Sequence, residues 1–144
     1  MYGYDEPFQG LVGNTFEDLM VSKDQTSIRI YIKDGWFKTI STEGDCCSES
    51  WWADILGVQS AKGGKILEIK ELEVETPNDD RTRQEYDQAY GYELVTDKGV
   101  VTLVFRNSSN GYYGGWAFDI DPEKLPLSET LENYERIESN DWRA

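Results

Sequence analysis

Ser27-Ile28-Arg29-Ile30-Tyr31-Ile32-Lys33, then Asp34-Gly35, then Trp36-Phe37-Lys38-Thr39-Ile40, is the stretch on which the fold turns. Ile28, Ile30 and Ile32 alternate with Arg29, Tyr31 and Lys33, a period of two that gives an extended chain one buried and one solvated face. Asp-Gly tolerates the positive φ angles of a type I′ turn, so the segment predicts a β-hairpin. A second hairpin follows from Tyr90, Tyr92 and Leu94, the turn Asp97-Lys98-Gly99 and the run from Val100 to Arg106. Asn107-Ser108-Ser109-Asn110-Gly111 is a further turn. Behind it Trp116, Phe118 and Ile120 alternate with Ala117 and Asp119, which predicts a meander of three consecutive strands with Trp116 packed in the core.

Other segments are less decisive. Thr15 to Ser22 suits a strand or a helical turn. In Asp45 to Gly57, Ser48 would cap a short helix that buries Trp51, Trp52, Ile55 and Leu56 and ends at Gly57, yet the first half would serve equally as a strand. Lys62 to Lys65 reads as a glycine loop, and Ile66 to Thr76 as a long strand. The apolar phase of that strand shifts near Lys70-Glu71, the mark of a bulge. Thr76 to Arg83 is a polar loop. Leu127, Leu131, Tyr134 and Ile137 recur at helical spacing behind Pro126 and Ser128, predicting a helix from about Ser128 to Glu138. The expected class is α+β, mainly β: an antiparallel sheet of about six to seven strands built from hairpins and a meander, with a C-terminal helix. The expected organisation is a single domain over 1–144, with an N-terminal arm (1–10), a β core (11–120) and an acidic C-terminal helical tail (121–144).

Composition narrows function by exclusion. Twenty-eight Asp and Glu face fourteen Lys and Arg, a formal charge of −14 that disfavours contact with nucleic-acid phosphates and anionic membranes. The chain contains no histidine, which removes most transition-metal and general-base chemistry. Aromatic residues at 13% argue against disorder despite the charge. No apolar run approaches the roughly 20 residues that span a bilayer, and Met1 to Pro7 has neither a basic nor an apolar export segment, so a cytoplasmic location is expected. Adjacent Cys46 and Cys47 can close only a strained ring, which points to free thiols.

Asp45-Cys46-Cys47, then Ala53-Asp54-Ile55-Leu56-Gly57, and later Ser109-Asn110-Gly111-Tyr112-Tyr113 ahead of a strand, resemble an uncharacterised family of small phage and bacterial proteins. Its members share a D-C-C-E pattern after a β-hairpin and an S-N-G-Y-Y turn. The resemblance covers roughly Leu11 to Ile120. Here Ser48 stands between the Cys pair and Glu49, which displaces the acid by one position. The resemblance implies a compact mainly β domain of phage-like origin and supplies no catalytic residues.

Several constellations compete with simpler readings. The charges nearest to Cys46 and Cys47 are Glu43, Asp45 and Glu49, which disfavour thiolate; the expected role is buried structural cysteine, with redox sensing and metal binding as alternatives. Asp119-Ile120-Asp121-Pro122-Glu123 and Asn78-Asp79-Asp80 offer oxygen ligands for calcium or magnesium but lack the spacing of a calcium loop, so solvated turns are expected. A carboxylate pair for glycoside hydrolysis has no more specific support. Glu71, Glu73 and Glu75 share one face of a strand at intervals of about 6.6 Å, and Asp79 and Asp80 follow. In the tail Glu129, Glu132, Glu135, Glu138 and Asp141 recur every third residue. Solubility is the simpler account of such rows; a phosphate-like potential offered to a basic groove is the sharper one. Tyr112, Tyr113, Trp116, Trp51 and Trp52 together exceed what a small core readily hides, and Tyr112 and Tyr113, beside a glycine turn, suit a contact surface.

The expected function is therefore a non-catalytic acidic protein-binding module, phage-encoded, that binds and inhibits or modulates a host protein with a basic surface, in its sharper form as a nucleic-acid mimic. The expected partner-binding residues are Glu71, Glu73, Glu75, Asp79, Asp80, Tyr112, Tyr113, Glu129, Glu132, Glu135 and Glu138. No cofactor, direct nucleic-acid contact or membrane contact is expected. Two alternatives stand beside it. One is a small-ligand or divalent-metal binder, or a small carboxylate enzyme, with Asp119, Asp121 or Glu49 converging on an aromatic wall. The other is a virion or assembly component with a self-complementary apolar surface.

Overall fold

The computed structural model describes residues 6–111, 114–125 and 132–144. Its strands are β1 (Phe16–Ser22), β2 (Ser27–Ile32), β3 (Trp36–Gly44), β4 (Glu49–Leu56), β5 (Ile66–Leu72), β6 (Tyr86–Thr96), β7 (Val100–Ser109), β8 (Gly115–Lys124), β9 (Tyr134–Arg136) and β10 (Asp141–Arg143), with one short helix, α1 (Val58–Ala61). They form two five-stranded antiparallel sheets, ordered β8-β3-β2-β1-β9 and β10-β4-β7-β6-β5. The β2–β3 and β6–β7 hairpins are where the alternation places them, and Asp34 (φ 73°) and Gly35 (φ 83°) adopt the left-handed conformation their turn requires.

The main core lies between the sheets. Leu19, Val21, Ile28, Ile30 and Ile40 of the first meet Trp52, Ile55, Leu94, Val101, Leu103 and Phe105 of the second. Trp52 meets Phe105 edge-on at 5.4 Å. Phe8, from the segment expected to be an arm, fills the same core against Tyr92 at 4.7 Å. The other face of the first sheet carries a smaller cluster of Met20, Tyr31 and Phe37, backed by Leu125 and Tyr134. Arg29, expected on a solvated face, is buried there between the rings of Phe37 and Tyr134, at 4.7 and 4.0 Å from their centroids.

Several expectations are overturned. One sheet becomes two, because β8 does not pair with β7; it crosses to β3 and ends the meander after β6 and β7. The C-terminal helix is absent: strand makes up 58% and helical turns 7%, and no helix of seven residues or more occurs among the described residues. Tyr134 to Arg136 pairs instead with β1, the Ile137 N–H donates to the Leu19 carbonyl at 3.0 Å, and β10 pairs with β4. A lone helix of about eleven residues is marginal in water, whereas the open edges of β1 and β4 satisfy the tail's backbone and bury Ile137. The part of the expected helix before Glu132 lies outside the described residues.

Asp45 to Gly57 holds strand β4, without a helix capped at Ser48, and Trp51 and Trp52 are both buried. Gly57, at φ +85°, joins β4 to α1. β5 stops at Leu72, and its bulge falls at Leu67 rather than at Lys70-Glu71. Asn107 to Ser109 continue β7 in buried positions instead of turning. Asp119 to Glu123 lie in β8 and not in a turn. Trp116, Phe118 and Ile120 do alternate, but at 45%, 37% and 45% exposure they face outward while Ala117 packs on the core. Alternation shows that two faces differ, and on this edge strand the apolar face is the outer one.

Candidate functional site

The polar loop after β5 decides which charges are available. Val74 crosses close over Gly91 of β6, where a side chain on the glycine would lie 2.7 Å from a Val74 methyl. Residues beyond it lie on the outer face of the second sheet. Arg106 of β7 donates to both carboxylate oxygens of Asp79, at 2.8 and 2.5 Å, and to Asp87 at 3.0 Å. Arg81 donates to Asp54 of β4 at 3.0 Å and to the Ala53 carbonyl at 3.2 Å, and Arg143 of β10 reaches the same Asp54 oxygen at 3.1 Å. The Arg83 guanidinium covers Trp51 at 4.0 Å and faces Glu49 at 3.9 Å, while the Ser108 hydroxyl accepts from the N–H groups of Arg83 and Gln84.

This arrangement is a clamp rather than a docking surface. Hydrogen bonds from Arg106 hold the Asp79 carboxyl well below the usual carboxylate range, and the same pairing raises the guanidinium's proton affinity. Asp79, an expected partner contact, is thus committed to the fold. The Arg106–Asp87 pair and the Asp54 junction were not legible as sites. The signal for the Arg106 pair is a charge directly after the run Val100 to Phe105, since a buried arginine requires an acidic partner.

Glu71, Glu73, Glu75 and Asp80 are exposed, and no cation pairs with them among the described residues. Glu71 lies opposite Tyr92, and burial first, then the Glu71 charge, push the Tyr92 hydroxyl up to about 12. Among the described residues only the start of the strand's outer edge is taken: Gly13 and Asn14 hydrogen-bond to Ile66, and Thr15 bridges Lys65. Glu132, Glu135 and Glu138 are exposed as well. They are elsewhere: β9 runs through Ile137 to Asn140 into β10, and β10 and β5 are opposite edges of the second sheet. The strand row and the tail row therefore do not merge. Glu129, Tyr112 and Tyr113 lie outside the described residues.

The remaining candidates are dispersed. Asp119 of β8 pairs with Lys38 at 3.1 Å in the first sheet, and Glu49 belongs to the second, so they do not converge; Asp121 is described in its backbone only. No group of three or more Cys, Asp or Glu side chains is placed to hold a metal ion among the described residues. Among the described residues there is an open cleft of about 400 Å³ beside Ser22, Asp24 and Tyr134, in which the Ser22 and Thr26 hydroxyls both donate to the Asp24 carboxylate, and another of about 470 Å³ beside Tyr86, Asp87 and Asn110. Cys46 and Cys47, expected to be buried, are exposed at the tip between β3 and β4. No described helix is long and apolar enough to cross a membrane.

Comparison with known proteins places these features. The model of a family described as Domain of unknown function (DUF7448) matches residues 9–118. An uncharacterized protein of Acanthamoeba polyphaga mimivirus is 36% identical over 107 residues, covering 67% of this chain and 79% of that protein. No solved structure matches the chain. The matched span runs from just after Phe8 into β8 and leaves out β9 and β10, the strands that complete an edge of each sheet.

Proposed function

We propose, for a chain that belongs to the family described as Domain of unknown function (DUF7448), that it is a non-catalytic acidic binding module of viral origin. In its finer form it is phage-encoded, works in the host cytoplasm and modulates a host protein with a basic surface. The observation that carries this reading is the row Glu71, Glu73 and Glu75, exposed and without a counter-ion among the described residues, which begins on edge strand β5 at Glu71 and continues along the segment that leaves it after Leu72. Like charges so close repel one another, and a basic partner relieves that repulsion while the field speeds the encounter. The placement of the tail row on and around β9, an edge of the first sheet, while β5 edges the second, favours a short acidic docking strip over a long phosphate-mimicking surface.

The test is capture from host lysate at low ionic strength with the wild-type chain and with a variant in which Glu71, Glu73 and Glu75 are all changed to Lys. A partner held by the wild type, released by salt and missed by the variant supports the proposal. Equal capture by both, or none by either, overturns it. If the variant aggregates on its own, the acids serve to protect an open edge. Competition by DNA for the captured partner tests the nucleic-acid-mimic form.

One observation favours a second reading, an assembly component. Trp116, Phe118 and Ile120 form an exposed apolar row on β8, an edge strand of the first sheet, and Trp36 is exposed near its far end. Light scattering of the purified chain decides: an oligomer dispersed by Phe118→Asp supports assembly, and a monomer removes it.

A further inference from the structure

The hairpin tip between β3 and β4 is held in place around its two thiols. Asp45 and Gly114 exchange hydrogen bonds, backbone to backbone at 3.0 Å and from the Gly114 N–H to the Asp45 carboxylate at 3.1 Å. The Ser48 N–H and hydroxyl both donate to the Asp45 carbonyl, at 3.0 and 2.6 Å, closing a four-residue turn with Cys46 and Cys47 at its centre. Asn107 donates to the Ser48 hydroxyl at 3.0 Å from below. Cys47 has φ +72°, a left-handed conformation usually left to glycine at the third position of a turn. The result is two exposed thiols with their sulfurs 3.0 Å apart.

From this geometry we propose that Cys46 and Cys47 form a reversible redox site, closed to an intramolecular disulfide by thiol–disulfide exchange with a low-molecular-weight disulfide. The Cys46 thiolate attacks the oxidant, forms a mixed disulfide and expels the first thiolate. The Cys47 sulfur then loses its proton, attacks Cys46 Sγ and expels the second. One S–S bond is made in the protein, the oxidant is reduced by two electrons to two thiols, and the two protons of the cysteines end on those thiols. The hydrogen bond and the like charge shared between the two sulfurs raise the Cys47 thiol above its ordinary value.

This site is a switch and not a staple. Neighbouring Cα atoms are about 3.8 Å apart, below the range of about 4.4 to 6.8 Å that relaxed disulfides span, and strained exposed disulfides are the easily reduced ones. It also has a route to the rest of the molecule. Gln84 donates to the Cys47 carbonyl at 3.0 Å, and its neighbour Arg83 covers Trp51. Closing the ring twists the peptide between Cys46 and Cys47, and Gln84, held by the next carbonyl along, is the element of the loop placed to register it.

The experiment treats the purified full chain with glutathione disulfide and follows intact mass, alkylatable thiols and tryptophan fluorescence. The expected product is a monomer lighter by two hydrogens, with neither thiol reactive, altered tryptophan emission and full reversal by dithiothreitol. Cys46→Ser and Cys47→Ser, both at exposed positions, should each stop at a stable glutathione adduct. Gln84→Ala should still close the ring but lose the emission change. A wild type that keeps the adduct as the single variants do, or forms only intermolecular dimers, overturns the redox site. An unchanged emission on closure overturns the coupling to the loop.

Discussion

Arg106 and Asp87 pair at 3.0 Å where solvent scarcely enters, with side-chain exposures of 3% and 0%. Arg29 is buried too, but it lies between aromatic rings, and its Nε and Nη1 have no hydrogen-bond partner among the described residues. These two guanidinium groups should respond unequally to removal. Arg106→Met strands the Asp87 carboxylate and should cost about 3 to 5 kcal/mol in urea denaturation. Arg29→Met exchanges a cation–π contact for relief of desolvation and should fall within about 1 kcal/mol of the wild type. The reverse ranking would show that Arg29, not Arg106, anchors its sheet.

Acid should release the loop clamp. The Asp79 carboxyl is held well below the usual carboxylate range, first by its hydrogen bonds from Arg106, so the unfolded chain binds a proton there more readily than the native one. Its contribution is complete above the unfolded value near 3.9 and is lost as pH falls toward the lower native value. Urea midpoints measured between about pH 5 and pH 2 should fall less steeply in Asp79→Asn than in the wild type. Parallel curves would deny the pairing its role.

Alkali tests the β5 edge. Tyr92 is pushed up to about 12, by burial first and the Glu71 charge second, so its neutral form is favoured in the native state. That contribution holds below the unfolded tyrosine value near 10 and disappears as pH rises through about 12. Tyrosinate absorbance should show one late-titrating group that is missing in Tyr92→Phe. In Glu71→Gln the same group should titrate slightly earlier while staying well above an exposed tyrosine.

Gly57 joins β4 to α1 at φ +85°, and a Cβ there would lie 2.1 Å from the Val100 carbonyl oxygen. Gly57→Ala should therefore lose more than about 1 kcal/mol, through the left-handed backbone and the clash together. Thermal unfolding measures it. An unchanged midpoint would mean that the β4–α1 junction shifts freely.

Legibility followed the range of the interactions. The Ile28, Ile30 and Ile32 alternation and the Asp34-Gly35 turn are local, and the strand, its partner and the turn appear as read, although the face expected to be solvated is buried at Arg29 and Tyr31. The helical spacing of Leu127, Leu131, Tyr134 and Ile137 was local too, and it misled, because the open edge of β1 outcompeted a short helix for Tyr134 to Arg136. Trp51 looked like surplus aromatic surface until the Arg83 loop covered it, and Trp116 looked like core until β8 took a sheet edge. Of the candidate residues, Glu71, Glu73 and Glu75 are exposed with no cation paired to them among the described residues, Asp79 is spent on Arg106, and the thiols are exposed because the Asp45–Ser48 turn stands at a hairpin tip.

By itself the sequence determined the charge of −14, the lack of imidazole chemistry, the β character and the hairpin turns, since each follows from side-chain chemistry or from neighbours a few residues apart. Only the tertiary structure decided that β8 crosses to β3, that the tail closes both sheets and that an arginine clamp consumes acids from the loop. Backbone hydrogen bonds are the same for every residue, so an open strand edge accepts any extended segment that reaches it. Which segment arrives is settled by chain length and by packing of the whole core, not by the pattern within the segment.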